Sequence, residues 1–307
     1  MKSSALRRVR SIKRSNSLFG FFATAPAMLT LIGLFIYPLL FSLYVSFTDY
    51  NMAAVLGNRT INFVGLQNYS NVLADPAFWN AMRVTVYITI SAIAVEFIFA
   101  LALSVATQKI EKGKSVFISI YLITILVAPI VVALLFRFIL NDELGLLNLI
   151  LRKAGIISRD IGWLSDEKIA KLSVVMVDTW QATSSVFLLL YAAIIAIPKD
   201  IFESAVVDGA NSWRVFVNII LPSIKSVIIY SMVIRFMDVF RIFDSIFLLT
   251  NGGPGDATES LALFIFRKGW TQMDMSKASA TSYLMMIVMA VGILLINRVG
   301  NYEKKVK

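Results

Sequence analysis

The 307-residue chain contains no histidine and no cysteine. Without cysteine there is no disulfide framework and no thiolate metal site. Without histidine, the commonest general base, proton relay and metal ligand is missing. Charge is scarce as well: Asp, Glu, Lys and Arg supply 16% of the residues, against roughly 25% in ordinary globular chains. No catalytic motif fills the gap. There is no H-E-x-x-H, no G-x-S-x-G and no carboxylate cluster with metal spacing. Gly113-Lys114-Ser115 ends like a phosphate-binding loop, but Gln108 stands where its first glycine belongs. The sequence therefore predicts no catalytic residue, no enzyme activity, no metal and no cofactor bound by this chain.

What the chain has in excess is apolar. Hydrophobic residues make up 58% of it, against roughly 45–50% in globular proteins. Mean hydropathy is +0.77. A water-facing fold of this size has too little interior to hide that much apolar surface. Disorder, collagen and coiled coil are excluded by the same composition. The net charge of +10 could point to nucleic acid. In a membrane chain, however, basic residues collect in cytoplasmic loops, and no nucleic-acid partner is expected. The fold class is an all-α membrane protein in a lipid bilayer.

Six segments are long and apolar enough to span, at about 20 residues per crossing. The first run, Leu18 to Thr48, carries no charge and follows a basic flank. It is too long for a signal peptide, and Pro26 follows the Ala23-Thr24-Ala25 that would be the cleavage site. The others lie near 81–107, 116–140, 173–197, 224–250 and 278–297. With the N-terminus inside, segments 1–17, 108–115, 198–225 and 298–307 are cytoplasmic and hold 16 Lys or Arg. The outer segments hold 9. The bias places both termini in the cytoplasm, with Trp79, Trp163 and Trp270 near the outer interface. Three regions follow: a basic cytoplasmic segment 1–17, a six-span transmembrane domain 18–297 whose core covers about 78–297, and a basic cytoplasmic tail 298–307.

The cytoplasmic segment 198–222 carries the most specific pattern. Asp200 is placed to cap a helix starting near Ile201, with Glu203 closing a capping box. Gly209 is placed to turn that helix through the left-handed region, and Pro222 to restart a helix into span five. The spacing of Glu203, Ser204 and Ala205, then Gly209, then Ile219, Leu221 and Pro222 resembles the EAA loop of binding-protein-dependent ABC transporter permeases. Ser204 replaces the usual alanine, a change of one small residue for another. Phe35-Ile36-Tyr37-Pro38, Ser46-Phe47-Thr48-Asp49-Tyr50, Val64-Gly65-Leu66-Gln67-Asn68-Tyr69 and Leu249-Thr250-Asn251-Gly252-Gly253-Pro254, followed by Thr258-Glu259, are similar to the carbohydrate-uptake members, of the maltose or glycerol-3-phosphate first-permease type. The resemblance covers about residues 20–295.

The resemblance implies a MetI-like fold and a multi-pass permease subunit of the bacterial cytoplasmic (inner) membrane. Its partners would be a second homologous permease, two ATP-binding subunits carrying ATP and Mg, and an extracytoplasmic binding protein that delivers a sugar or polyol. The EAA loop would dock on the ATPase, through Glu203, Ser204, Ala205, Asp208, Gly209, Ile219, Leu221 and Pro222. In span five, Arg235, Asp238, Arg241 and Asp244 recur every three residues, a spacing that makes them helix neighbours. Ionisable groups inside a span are costly and face a bundle interior or a water-filled path. They are pathway candidates, with Asp178, Trp180 and Gln181 of span four, or a structural ion-pair ladder. Glu96 and Arg137 are expected to pair with each other. A proton-coupled secondary carrier for a polar solute is the alternative, and it wants titratable relays and internal repeats. Which sugar is carried, and which permease holds its main site, stay open.

Overall fold

A computed structural model describes residues 21, 23–52, 57 and 60–302, without the side chains of 301 and 302. The basic segment 1–17 and the second half of the tail 298–307 lie outside the described residues.

Helices dominate. The membrane-length elements are α1 (Ala23–Ser46), α3 (Pro76–Gln108), α7 (Glu167–Ile195), α9 (Ser212–Phe240) and α12 (Met275–Tyr302). Shorter helices join them: α2 (Gln67–Ala74), α4 (Lys114–Leu126), α5 (Pro129–Ile139), α6 (Leu146–Lys153), α8 (Lys199–Val207), α10 (Asp244–Leu249) and α11 (Leu261–Phe266). α3 and α7 form the longest helix pair, and α9 packs across both. α12 lies against α9 and α1. Gly292 lets α12 and α9 approach closely, because a Cβ there would run into the Phe236 ring.

Local chemistry explains several helix starts. Asp75 and Asp166 cap α3 and α7 by accepting backbone N–H bonds, from Ala77 at 2.9 Å and from Lys168 and Ile169 at 2.9 and 3.0 Å. The donors from Ile169 and Lys168 hold the Asp166 carboxyl below its usual range. Pro76 and Pro129 each stand in a first helical turn, where the missing N–H costs nothing.

Two spans differ from the sequence expectation. Span three is not one helix through 116–140: α4 and α5 meet at 96° across Val127 and Ala128. Pro129 disfavours helical backbone at Ala128, whose ψ is 139°, so the chain must turn there. Span five does not run to 250. α9 ends at Phe240, Arg241 closes it, and a new helix, α10, starts at Asp244. α9 also begins earlier than expected, at Ser212, so Pro222 restarts nothing. A π-helical turn at Phe216–Ile220 directly precedes Leu221 and Pro222 and carries the helix past the missing N–H.

Candidate functional site

Three helices bring one ion-paired cluster together. Glu96 on α3 is fully buried. Its carboxylate accepts two bonds from the Arg235 guanidinium on α9, from Nε at 2.8 Å and Nη2 at 2.7 Å. Nη2 also donates to Asp178 Oδ2 on α7, at 2.8 Å. A bidentate arginine–carboxylate pair is both strong and directional. Asp178 shares the same nitrogen from the less buried side, so two carboxylates stand against one guanidinium. This corrects the expected Glu96–Arg137 pair. The break before Pro129 swings α5 sideways, and Arg137 Nη1 instead donates to the Leu248 carbonyl on α10 at 3.2 Å.

The cluster opens into a cavity of about 350 Å³, lined by Asp178, Gln181, Ser185, Arg235, Asp238, Arg241 and Asp244 among others. The expected ladder survives only in part. Asp238 lies 4.0 Å from Arg235 and 3.3 Å from Arg241, both at helical spacing. Asp244 has left the ladder, because α9 ends before it. Gln181 donates to the Val127 carbonyl at 2.9 Å and so pins the α4–α5 break at the cavity wall. Trp180 is placed elsewhere. It stands edge-on to Phe136, at 5.3 Å between ring centroids, and lines a separate apolar groove with Met176 and Phe99.

At the other end of α9, α8 carries Glu203, Ser204 and Ala205. No capping box forms. Pro198 occupies the N-cap with ψ 137°, so the helix starts at Lys199 and Asp200 falls in its first turn. The C-terminal expectation holds. Gly209 has φ +69°, and two bonds close the turn: Gly209 N–H to the Val206 carbonyl at 3.0 Å and Ala210 N–H to the Ala205 carbonyl at 2.9 Å. Asn211 then caps α9 by accepting from Arg214 N–H at 2.8 Å. Ala205 is buried, while Val206 and Val207 are 71% and 88% exposed at the tip of the loop. Glu203, Ser204, Asp208, Gly209 and Pro222 are exposed, and Ile219 and Leu221 are half-buried.

The segment that carries the loop and, apart from Glu96, the cluster also matches a family model. Residues 98–302 fit the family described as the binding-protein-dependent transport system inner membrane component. The chain belongs to this family. It is therefore a multi-pass permease subunit of an inner membrane transport system, not an enzyme. A probable ABC transporter permease protein of Sinorhizobium fredii is 32% identical over 295 residues, covering 96% of this chain and 93% of that protein. The trehalose/maltose transport system permease protein MalF of Thermococcus litoralis is 34% identical over 242 residues, covering 79% and 81%. The sn-glycerol-3-phosphate permease UgpA of Agrobacterium fabrum is 30% identical over 286 residues, covering 91% and 94%. A crystal structure of a bacterial ABC transporter for alginate import matches the fold with TM-score 0.81 at 21% identity, covering 96% of this chain and 99% of that one.

Sequence reasoning missed two organising residues in this family member. Glu96 was visible as a charge in an apolar span, yet its partner lay 139 positions away. Arg267 gave no signal. Its Nη1 bonds Asp256 at 2.9 Å and Glu259 at 2.7 Å, and Nη2 donates to the Asn251 carbonyl at 2.6 Å, which ties the Asn251–Pro254 turn to α11.

Proposed function

We propose that the cavity beside Arg235 is this permease's share of the solute pathway, and that the solute is a sugar or polyol handed over by an extracytoplasmic binding protein. The observation that carries this reading is a water-reachable cavity in which ion-paired Arg and Asp side chains present both donors and acceptors. Hydroxyl groups donate and accept, so they suit such a lining. With three carboxylates against two guanidinium groups, the lining disfavours an anionic solute. Relatives named for trehalose and maltose, which are neutral sugars, support this class.

The same reading places α8 and the loop through Gly209 in the cytoplasm, against one of two ATPase subunits that hold ATP and Mg. A second, homologous permease completes the path. α9 begins three residues after Gly209 and ends beside the cavity, so it connects the two sites directly.

The test removes a charge-neutral pair. Asp238 and Arg241 are exposed partners, so Asp238→Asn with Arg241→Gln orphans no buried charge. The expected outcome is a complex that assembles and keeps binding-protein-stimulated ATP hydrolysis, with solute uptake into proteoliposomes down more than tenfold. Uptake at the wild-type rate overturns the pathway role.

A further inference from the structure

A groove on the opposite side of α3 has no part in the pathway just described. It is lined by Ile98, Leu101, Ala102, Val105, Trp213 and Phe216, with Ser212 at its mouth and a volume of about 600 Å³. We infer that it holds one anionic phospholipid of the cytoplasmic leaflet, its acyl chain along α3 and its headgroup at the mouth. The inference rests on the orientation proposed above.

Length supports the acyl chain. Ile98 lies ten residues before the end of α3 at Gln108, about 15 Å at 1.5 Å per residue, which is half the hydrocarbon thickness of a bilayer. The groove therefore runs through one leaflet and ends at its interface. Trp213 marks that interface: it is 70% exposed and stacks at a tilt on Phe216, at 5.6 Å. Indole rings concentrate at headgroup level, where one edge meets water.

Charge supports the headgroup. The Lys109 ammonium lies 3.4 Å from Ser212 Oγ, at the mouth itself. Arg214 and Lys112 are exposed nearby in the chain, so three basic residues stand against two acids of the flanking segments, Glu111 and Asp208. The mouth lies between the N-terminus of α9 and the C-terminus of α3, whose dipoles oppose each other there, so the basic side chains carry the attraction. A basic residue beside an anionic surface is worth roughly a factor of five in affinity.

The intact transporter is placed in phosphatidylcholine nanodiscs containing increasing fractions of phosphatidylglycerol brominated on its acyl chains. Bromine quenches nearby indole fluorescence. The Trp213 contribution is the difference between wild type and Trp213→Phe. Half-quenching is expected at a brominated phosphatidylglycerol fraction at least tenfold below that needed with brominated phosphatidylcholine. In Lys109→Gln/Arg214→Gln the two lipids are expected to quench alike. Equal quenching by both lipids in wild type, or no quenching by either, overturns the site. Nanodiscs expose both leaflets, so this result does not depend on orientation. Orientation is read separately, in sealed vesicles: a membrane-impermeant maleimide added outside reaches Ser204→Cys in this cysteine-free chain only if the loop faces outward.

Discussion

Arg235→Met is expected to abolish recovery of the assembled transporter. The guanidinium is shared by a fully buried carboxylate, Glu96, and by Asp178, so its removal leaves two acids side by side with no cation. Removing one partner of a buried ion pair costs about 3–5 kcal/mol. That is a factor of more than 100 in the folded population. The check is the yield of intact complex on size-exclusion chromatography of detergent extracts. Wild-type yield for Arg235→Met would show the triad to be structurally idle. The companion variant replaces all three charges: Glu96→Gln, Asp178→Asn and Arg235→Met. It orphans no charge and is expected to regain most of the yield. Uptake by that triple variant then separates the two roles. Loss of uptake with normal yield assigns the charges to the pathway, and normal uptake assigns them to packing alone.

Gly209→Val is expected to separate ATP hydrolysis from transport. The backbone there has φ +69°, a region that costs an L residue about 1–2 kcal/mol and a β-branched one more. Space is not the obstacle, because a Cβ on Gly209 meets no atom within 4 Å. The turn must therefore relax, moving the exposed Val206 and Val207 tip relative to Asn211 and the start of α9. Uptake is expected to fall more than tenfold while the complex keeps its ATPase subunits and basal hydrolysis. Gly209→Asn is the control, since asparagine tolerates left-handed backbone, and it should retain most uptake. If both variants fail alike, the glycine serves close approach to a partner rather than backbone geometry. Coupled transport by Gly209→Val at the wild-type rate removes the site from the coupling role.

The spans and the loop were legible because each depends on neighbouring residues. Apolar runs reveal crossings, and a glycine five residues after Ser204 reveals a helix end. The cluster at Arg235 was only half legible. A charge in an apolar run announces that a partner exists, but the partner of Glu96 is set by how α9 crosses α3, which no local pattern encodes. The same limit misplaced Arg137, whose surroundings follow from the turn before Pro129. Asp244 looked like a fourth rung because spacing counts residues and ignores where a helix stops. The capping box failed for a local reason: Pro198 supplies N-cap geometry itself, so the helix begins before Asp200 can cap it.

The triad also sets a mechanical ratio. If α9 turns about the point where Arg235 pins it to α3 and α7, Ser212 lies 23 residues away and Asp238 only three, arms of about 35 Å and 5 Å at 1.5 Å per residue. α9 is then a lever that divides displacement by about seven and multiplies force by the same factor. A stroke of about 5 Å at the loop becomes roughly 0.7 Å at Asp238. That is negligible as a change in pore width. It is enough to stretch a hydrogen bond of about 2.9 Å to beyond 3.5 Å, the distance at which it ceases to hold. On the pathway proposed above, this geometry favours release by breaking bonds to the solute over release by widening a channel.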